Sequence, residues 1–494
     1  MYLIGVDIGT SGTKAVCADE MGETADSYSV RYGFENSGKG VRELDPEEVW
    51  RAVRRCLAAV SKGRDIAAIT VSALGEAVVA VDQYGQCLTK GITGTDIRGR
   101  DEYKRFIQTC GGAKVTQITG LAPDSLYSLG KILWLRDQRP QVFEKIWKIC
   151  TFQDFIIYRL CGETMVDGSM ASRTMLFDYK TRQWSQWLFS QAELPVSLVS
   201  EAVESGRAAG RLRPGLRCEL GIKGKAQVIV GCHDHIANAI GAGACREGDC
   251  VNAAGTTEGL TAFMKPGTLG EAEIRKYNIA CEPSAVRGMY NTVAWSNASG
   301  SVLRWFVRDI LKAGQDICFD GLNRRIKSEP TRLYVLPHFS GAATPYMDER
   351  SMGAVLGLTL DTKQEDLYQA IVEGTQMELY GIYRCLKKAG INMEKIISTG
   401  GALSEEILQM KADILGIEIH AAGSAYTGAM GGAVLGAAAC GIYNNLEEAA
   451  AAMVRKTKLY SPNMKRHRAY ETKAAIYDSL YMSLRDINHS LGEG

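Results

Sequence analysis

Apolar positions at the amino terminus run through Leu3-Ile-Gly-Val6 and stop at the carboxylate of Asp7. A short apolar run bounded by turn residues is the pattern of a buried strand. Small and hydroxyl residues follow, then residues 14–17 read as a second strand, so the stretch predicts a β-hairpin. Asp45-Pro-Glu-Glu-Val-Trp50 opens a helix to about residue 60, with Asp45 as N-cap and Pro46 at the first helical position. Residues 66–71 and 77–81 read as further strands, and 101–225 as mostly helical, with amphipathic runs over 131–136 and 142–160. A buried strand then ends at Gly231, and a helix of small residues starts near Asp234. From Cys250 to Phe263 the opening pattern returns as strand, Gly/Thr turn, strand. This internal repeat predicts duplicated domains facing one ligand across a cleft. Farther on come a periodic helix over 364–388, a strand from 396 ending in Gly400-Gly401, and a charged helical strap from about 459.

Composition changes this picture little. A chain of 494 residues is too long for one core, and 46% apolar with 23% charged residues is ordinary for a globular protein. The net charge of +1 argues against nucleic acid or an acidic membrane surface as partner. Fourteen cysteines lack paired CxxC spacing and, with strand one beginning at once, read as reduced thiols in a cytoplasmic enzyme without a signal peptide. Residues 421–443 carry no charge, yet six glycines and many alanines suit a close-packed internal helix better than a membrane span.

The candidate chemistry sits at the strand ends. Gly9 and Gly12 let backbone N–H groups approach a phosphate, and Thr10, Ser11 and Thr13 add hydroxyls. Asp7 would hold a hydrated magnesium ion beside it. The spacing fits neither a P-loop nor a GxGxxG turn. Glu76 and Asp96 are carboxylates suited to neighbouring sugar hydroxyls, although Asp96 with Arg98 also reads as a surface salt bridge. Asp234, at a strand-to-helix turn, is placed to take a proton from a bound hydroxyl, and equally to cap the helix. Metal ligation by Cys232, His233, Asp234 and His235 is disfavoured because consecutive residues rarely point at one centre. Gly255, Thr256 and Thr257 echo the first phosphate turn, and the paired glycines after the strand from 396 suit a nucleoside pressed on backbone.

Taken together these residues resemble the FGGY carbohydrate kinases over essentially the whole chain. The most specific element is Gly353-Ala-Val-Leu-Gly-Leu358, seven residues, then Asp366-Leu-Tyr-Gln-Ala-Ile-Val-Glu373. Gly5 to Lys14, the Gly-x-x-Asp element ending at Asp234, Gly255-Thr-Thr257, Pro337 to Pro345 and Thr399-Gly-Gly-Ala402 support it in order. The resemblance implies an α/β fold of two actin-like, ribonuclease-H-like domains with a central cleft. The expected division is 1–246, carrying sugar site and base, and 247–494, carrying the nucleotide site. It implies Asp234 as general base, ATP as phosphate donor, and Mg²⁺ held through water by Asp7 and Asp234. Thr10, Ser11, Thr13 and Lys14 would meet the phosphates from one side and Gly255, Thr256 and Thr257 from the other. Gly300, Gly401 and Ser404 would border the nucleoside, and Glu76, Asp96, Asp234 and His235 the sugar. A homodimer is implied by analogy with relatives.

Specificity is where the chain departs from the family. Xylulokinases carry a Gln-Met-His run after the third strand, whereas this chain has Leu74-Gly75-Glu76. A glutamate there is similar to glycerol kinases, but their flanking arginine is replaced, and His235 follows Asp234 in place of Asn or Gln. The expected substrate is a ketopentose such as xylulose or a related ketose, with a polyol or an aldonate as the alternative. A protein-binding, actin-like ATPase is argued against by the FGGY signature, and an inactive sugar sensor by Asp7 and Asp234.

Overall fold

A computed structural model describes residues 1–34, 38, 40–312, 319–455 and 458–491. Its first half is built on strands β1 (Tyr2–Gly9), β2 (Gly12–Asp19), β3 (Thr24–Arg31), β4 (Ile66–Ala73), β5 (Ala208–Arg211) and β6 (Gln227–His233). They form one sheet in the order β5-β6-β4-β1-β2-β3. The second half contributes β7 (Gly248–Ala254), β8 (Glu258–Met264), β9 (Glu282–Pro283), β10 (Tyr290–Ser296), β11 (Met393–Thr399), β12 (Ile419–Ala421) and β13 (Lys458–Tyr460). Their order is β9-β10-β8-β7-β11-β12-β13.

The two sheets repeat one topology. From β3 inward and onward the pairings of the first sheet are antiparallel, antiparallel, parallel, parallel, antiparallel. From β10 the second sheet gives the same succession, with β9 added at its edge. This is the duplication that the repeated Gly/Thr hairpins predict, in the actin-like form that the resemblance implies.

Side chains of β1 alternate between two cores. Ile4, Val6 and Ile8 meet Val49, Val53 and Leu57 of helix α1 (Pro46–Ser61). Asp45 caps that helix as expected, accepting from Glu47 N at 2.9 Å. Leu3 faces the other way, toward α2 (Asp234–Gly241) and α3 (Thr427–Ala439). Helix α3 lies within the second half of the sequence yet packs on the first sheet and on α2. Such close approach demands glycine: a Cβ on Gly5 would sit 1.8 Å from Ala429 O, and one on Gly241 1.8 Å from Thr427 O. Gly241→Ala is therefore expected to destabilise the protein by about 1–3 kcal/mol, the usual cost of overpacking. Urea denaturation would show this against Gly215→Ala, where a Cβ meets nothing within 4 Å.

The uncharged stretch at 421–443 thus contains an internal helix, Thr427–Ala439, and among the described residues no helix is long and apolar enough to cross a membrane. The described cysteines are all free. The run at 142–160 is not one helix. Lys148–Cys150 pairs as a strand with Val79–Val81, and a helix restarts only at Phe152–Cys161. Strand pairing between distant segments overrides the local amphipathic pattern there. The strap forms as Met464–Leu491, with Lys473 Nζ reaching Glu373 Oε2 at 2.5 Å.

Candidate active site

Asp7 leaves β1 on the side covered by α3, where a Cβ on Gly428 would come within 2.5 Å of its Oδ2. Burial raises the Asp7 carboxyl to about 7, Asp234 adds to the effect, and Lys14 partly offsets it. Asp234 is the first residue of α2, and the N-cap is His233, whose side chain makes no capping bond. The carboxylate of Asp234 is therefore not spent on the helix end. Its Oδ1 is buried without a hydrogen bond, while the side chain as a whole is 28% exposed. One oxygen is tucked inward and the other is left for the cleft.

Around Asp234 stands a chain of charged groups, of which the sequence points to Glu76 and His233 but not to Glu282 or Arg173. His233 Nε2 lies 3.3 Å from Asp234 Oδ1, and His233 Nδ1 3.6 Å from Glu282 Oε1. Glu282, from β9, is fully buried and meets Arg173 Nη1 at 3.4 Å. Arg173 Nε donates to Glu76 Oε1 at 2.5 Å, and its guanidinium lies 5.0 Å from the Tyr127 ring centre. Burial opposes charge on His233, but Glu282 and Asp234 outweigh it and hold the imidazole above its usual pKa. Burial keeps His235 below its usual value. Its ring lies 5.2 Å from that of His233. Ligand atoms of His233, Asp234 and His235 lie within 4.8 Å of one another, so these consecutive residues do converge. The His233 ring, however, already stands between two carboxylates.

Glu76 takes φ of 60°, an uncommon backbone state for a residue with a side chain. Its carbonyl accepts from Ser128 Oγ at 2.8 Å. Strain of this kind clusters at ligand sites. Asp96 is placed differently from Glu76. Its side chain is buried, with Oδ1 accepting from Arg98 N and Nε at 2.9 Å each. Its Oδ2 accepts from Arg42 N at 2.8 Å and Arg98 Nη2 at 2.7 Å. These bonds occupy both oxygens and leave them little capacity for a sugar. The Asp96–Arg98 pair is a salt bridge, but a largely buried one that also engages Glu43.

The two Gly/Thr turns stand at the ends of the central strands. Thr10, Ser11 and Lys14 are exposed, as a phosphate-facing set should be. Thr13 is not among them: it is fully buried, with its hydroxyl 3.1 Å from Tyr32 Oη, which donates to Gly9 O at 2.8 Å. It braces the turn from behind, because strand alternation turns Thr13 inward and Lys14 outward. In the second turn Gly255, Thr256 and Thr257 are exposed. Gly300 N donates to Gly255 O at 3.0 Å and Arg304 Nη2 to Thr256 Oγ1 at 3.1 Å. Gly300 is buried, and a Cβ there would lie 2.6 Å from Gly255 O, so it supports the turn. Beneath, buried Lys411 pairs with Glu258 Oε1 at 2.7 Å. Gly401 faces open space where its side chain would be, and Ser404 caps helix Glu405–Leu415 by accepting from Ile407 N. Asn238 of α2 ties the halves together, donating to Thr399 Oγ1 at 3.0 Å and accepting from Thr427 Oγ1.

Comparison with known proteins agrees with this geometry. Residues 2–241 match the N-terminal domain of the FGGY family of carbohydrate kinases, and residues 250–440 match its C-terminal domain. A xylulose kinase of Bacillus subtilis is 26% identical over 500 residues, covering 99% of this chain and 98% of its own. A gluconokinase of the same species is 26% identical over 496 residues, covering 97% and 95%. The crystal structure of gluconate kinase from Lactobacillus acidophilus superposes with a TM-score of 0.89 at 24% identity, covering 98% of each chain. With both domain matches spanning most of its length, the chain belongs to the FGGY family of carbohydrate kinases.

Proposed function

We propose that this ATP-dependent sugar kinase acts on a neutral ketose, with a ketopentose such as xylulose first. One observation carries the choice. Three carboxylates, Glu76, Asp234 and Glu282, gather around the site with the raised carboxyl of Asp7, and the Arg173 guanidinium among them is already held by Glu76 and Glu282. An anionic aldonate would add negative charge to this set while Arg173 is already engaged, a penalty that a neutral polyhydroxy chain escapes. The gluconokinase relative makes the aldonate the reading to beat. Relatives named xylulose kinase support the ketose.

In this reading residues 1–246 supply the sugar site and base, and 247–494 the nucleotide side. Glu76 accepts hydrogen bonds from sugar hydroxyls. The outward oxygen of Asp234 takes the proton of the attacking hydroxyl as it adds to the γ-phosphate. Thr10, Ser11 and Lys14 hold phosphate oxygens from one turn, and the backbone and hydroxyls of Gly255–Thr257 from the other. Gly401 gives the nucleoside room to lie on backbone. The donor set fits magnesium: Asp7 and Asp234 offer hard carboxylate oxygens, and the buried Asp7 is too costly to ionise with nothing beside it. Held by these two through water, Mg²⁺ would neutralise charge on the phosphates.

Coupled ADP release with MgATP over xylulose and other ketopentoses, glycerol, tetritols and gluconate tests the reading. A ketopentose is expected to exceed polyols and aldonates at least tenfold in kcat/KM. Preference for gluconate would overturn the charge argument, and turnover indifferent to any sugar would return the ATPase reading.

A further inference from the structure

We propose that His233 is a positioning residue: clamped between Glu282 and Asp234, its ring fixes which oxygen of the catalytic carboxylate faces the sugar. This rests on Asp234 being the base. The ring is not there to cap α2, since it makes no capping bond, and histidine is not a favoured N-cap. It is not loose packing either. The register of β6 against β4 shifts between Val230 and His233, and such irregularities re-aim a side chain. The backbone is then pinned, His233 N donating to Ser169 Oγ at 2.9 Å and Ser169 Oγ to Asp167 Oδ2 at 2.6 Å.

The surrounding sequence makes room for the ring. A Cβ on Gly75 would lie 2.9 Å from His233 Nε2 and 3.2 Å from Arg173 Cγ. The glycine in Leu74-Gly75-Glu76 thus admits both side chains. Behind the ring Glu282 is anchored by Arg173, and Arg173 by Glu76, so the clamp is fixed at its far end to the carboxylate proposed to grip the sugar. At the near end Asp234 Oδ1 is the oxygen turned to Nε2 and buried. The opposite oxygen is thereby committed to the cleft. His233 Nδ1, Glu282 Oε1 and Asp234 Oδ1 are buried and make no hydrogen bond at these separations of 3.3 and 3.6 Å, and contacts of this kind commonly tighten once ligands bind.

His233→Ala is expected to lower kcat at least tenfold while KM for sugar and for MgATP stay within threefold. His233→Gln, whose amide can still donate toward Asp234, should recover at least fivefold of that loss. Glu282→Gln should show a smaller loss of the same kind, and the double variant His233→Ala/Glu282→Gln should be no worse than His233→Ala alone. Unchanged kcat, a change confined to the sugar KM, or no recovery with Gln would overturn the proposal. A crystal structure with MgADP tests it without knowing the sugar: Nε2 is expected within 3.0 Å of Asp234, and a ring turned away would overturn it. A wild-type enzyme silent on every sugar would count against the functional reading instead, and this crystallographic distance would still decide the clamp.

Discussion

Asp234→Asn is expected to cut kcat by about 10³-fold, within the range that a general base contributes. The change is nearly isosteric, so α2, the buried contact to His233 and the fold should persist. What is lost is the ability to take a proton. KM for MgATP should rise much less than kcat falls, because Asp234 is proposed to meet Mg²⁺ only through water while the proposed phosphate groups Thr10, Ser11, Lys14 and Gly255–Thr257 are untouched. Single-turnover phosphate transfer should slow to the same extent as steady-state turnover, separating a chemical defect from slow product release. Full sugar-dependent ADP release by Asp234→Asn would remove Asp234 from the role.

Asp7→Asn should do two opposite things. Activity is expected to fall at least 100-fold, since the carboxylate proposed to hold Mg²⁺ beside the phosphates disappears. Stability at pH 8 is expected to rise. Asp7 has its carboxyl raised from 3.8 to about 7, chiefly by burial and then by Asp234. Between those values the folded state holds a proton that the unfolded chain releases, so this residue costs stability progressively as pH climbs through the window. Above pH 7 the penalty is complete and amounts to roughly 4 kcal/mol, each pH unit of that window costing roughly 1.4 kcal/mol. Asparagine removes it, and the melting temperature at pH 8 should increase by several degrees. At pH 5 wild-type Asp7 is largely neutral in the fold, and the gain should shrink to less than half. Thermal melts at the two pH values, without Mg²⁺, measure the difference. An equal gain at both would mean that the charge is not its source.

Periodicity and repetition made the scaffold legible. The hairpin at Gly9–Gly12, its echo at Ala254–Glu258 and the long helix Gln364–Lys388 all follow from local pattern. So do Asp234 at a strand-to-helix turn and the exposure of Thr10 and Ser11. What local pattern does not carry is who meets whom. Arg173 lies 97 residues from Glu76 and 109 from Glu282, and no spacing rule spans those gaps. A glycine at 75, beside a glutamate and after a buried strand, is the one local hint that other side chains fill its volume. Residue type alone makes Thr13 and Asp96 look like ligands. The alternation of β2 turns Thr13 inward, and Arg98 two residues from Asp96 is the sign that its oxygens are already engaged.

The placement of α3 has a consequence for the newborn chain. The sheet of the first half is complete in sequence at His233, and α2 follows by Gly241. The helix that covers Gly5 and Gly241 does not end until Ala439. About 200 residues must still be made before that face can close, roughly 10–40 s of synthesis. Throughout that interval the nascent first half carries an uncovered seam of small apolar residues. Closing that face needs a helix from the second half of the polypeptide, so a ribosome stalled before residue 427 is expected to hold an open-faced first half, a ready client for chaperones and proteases.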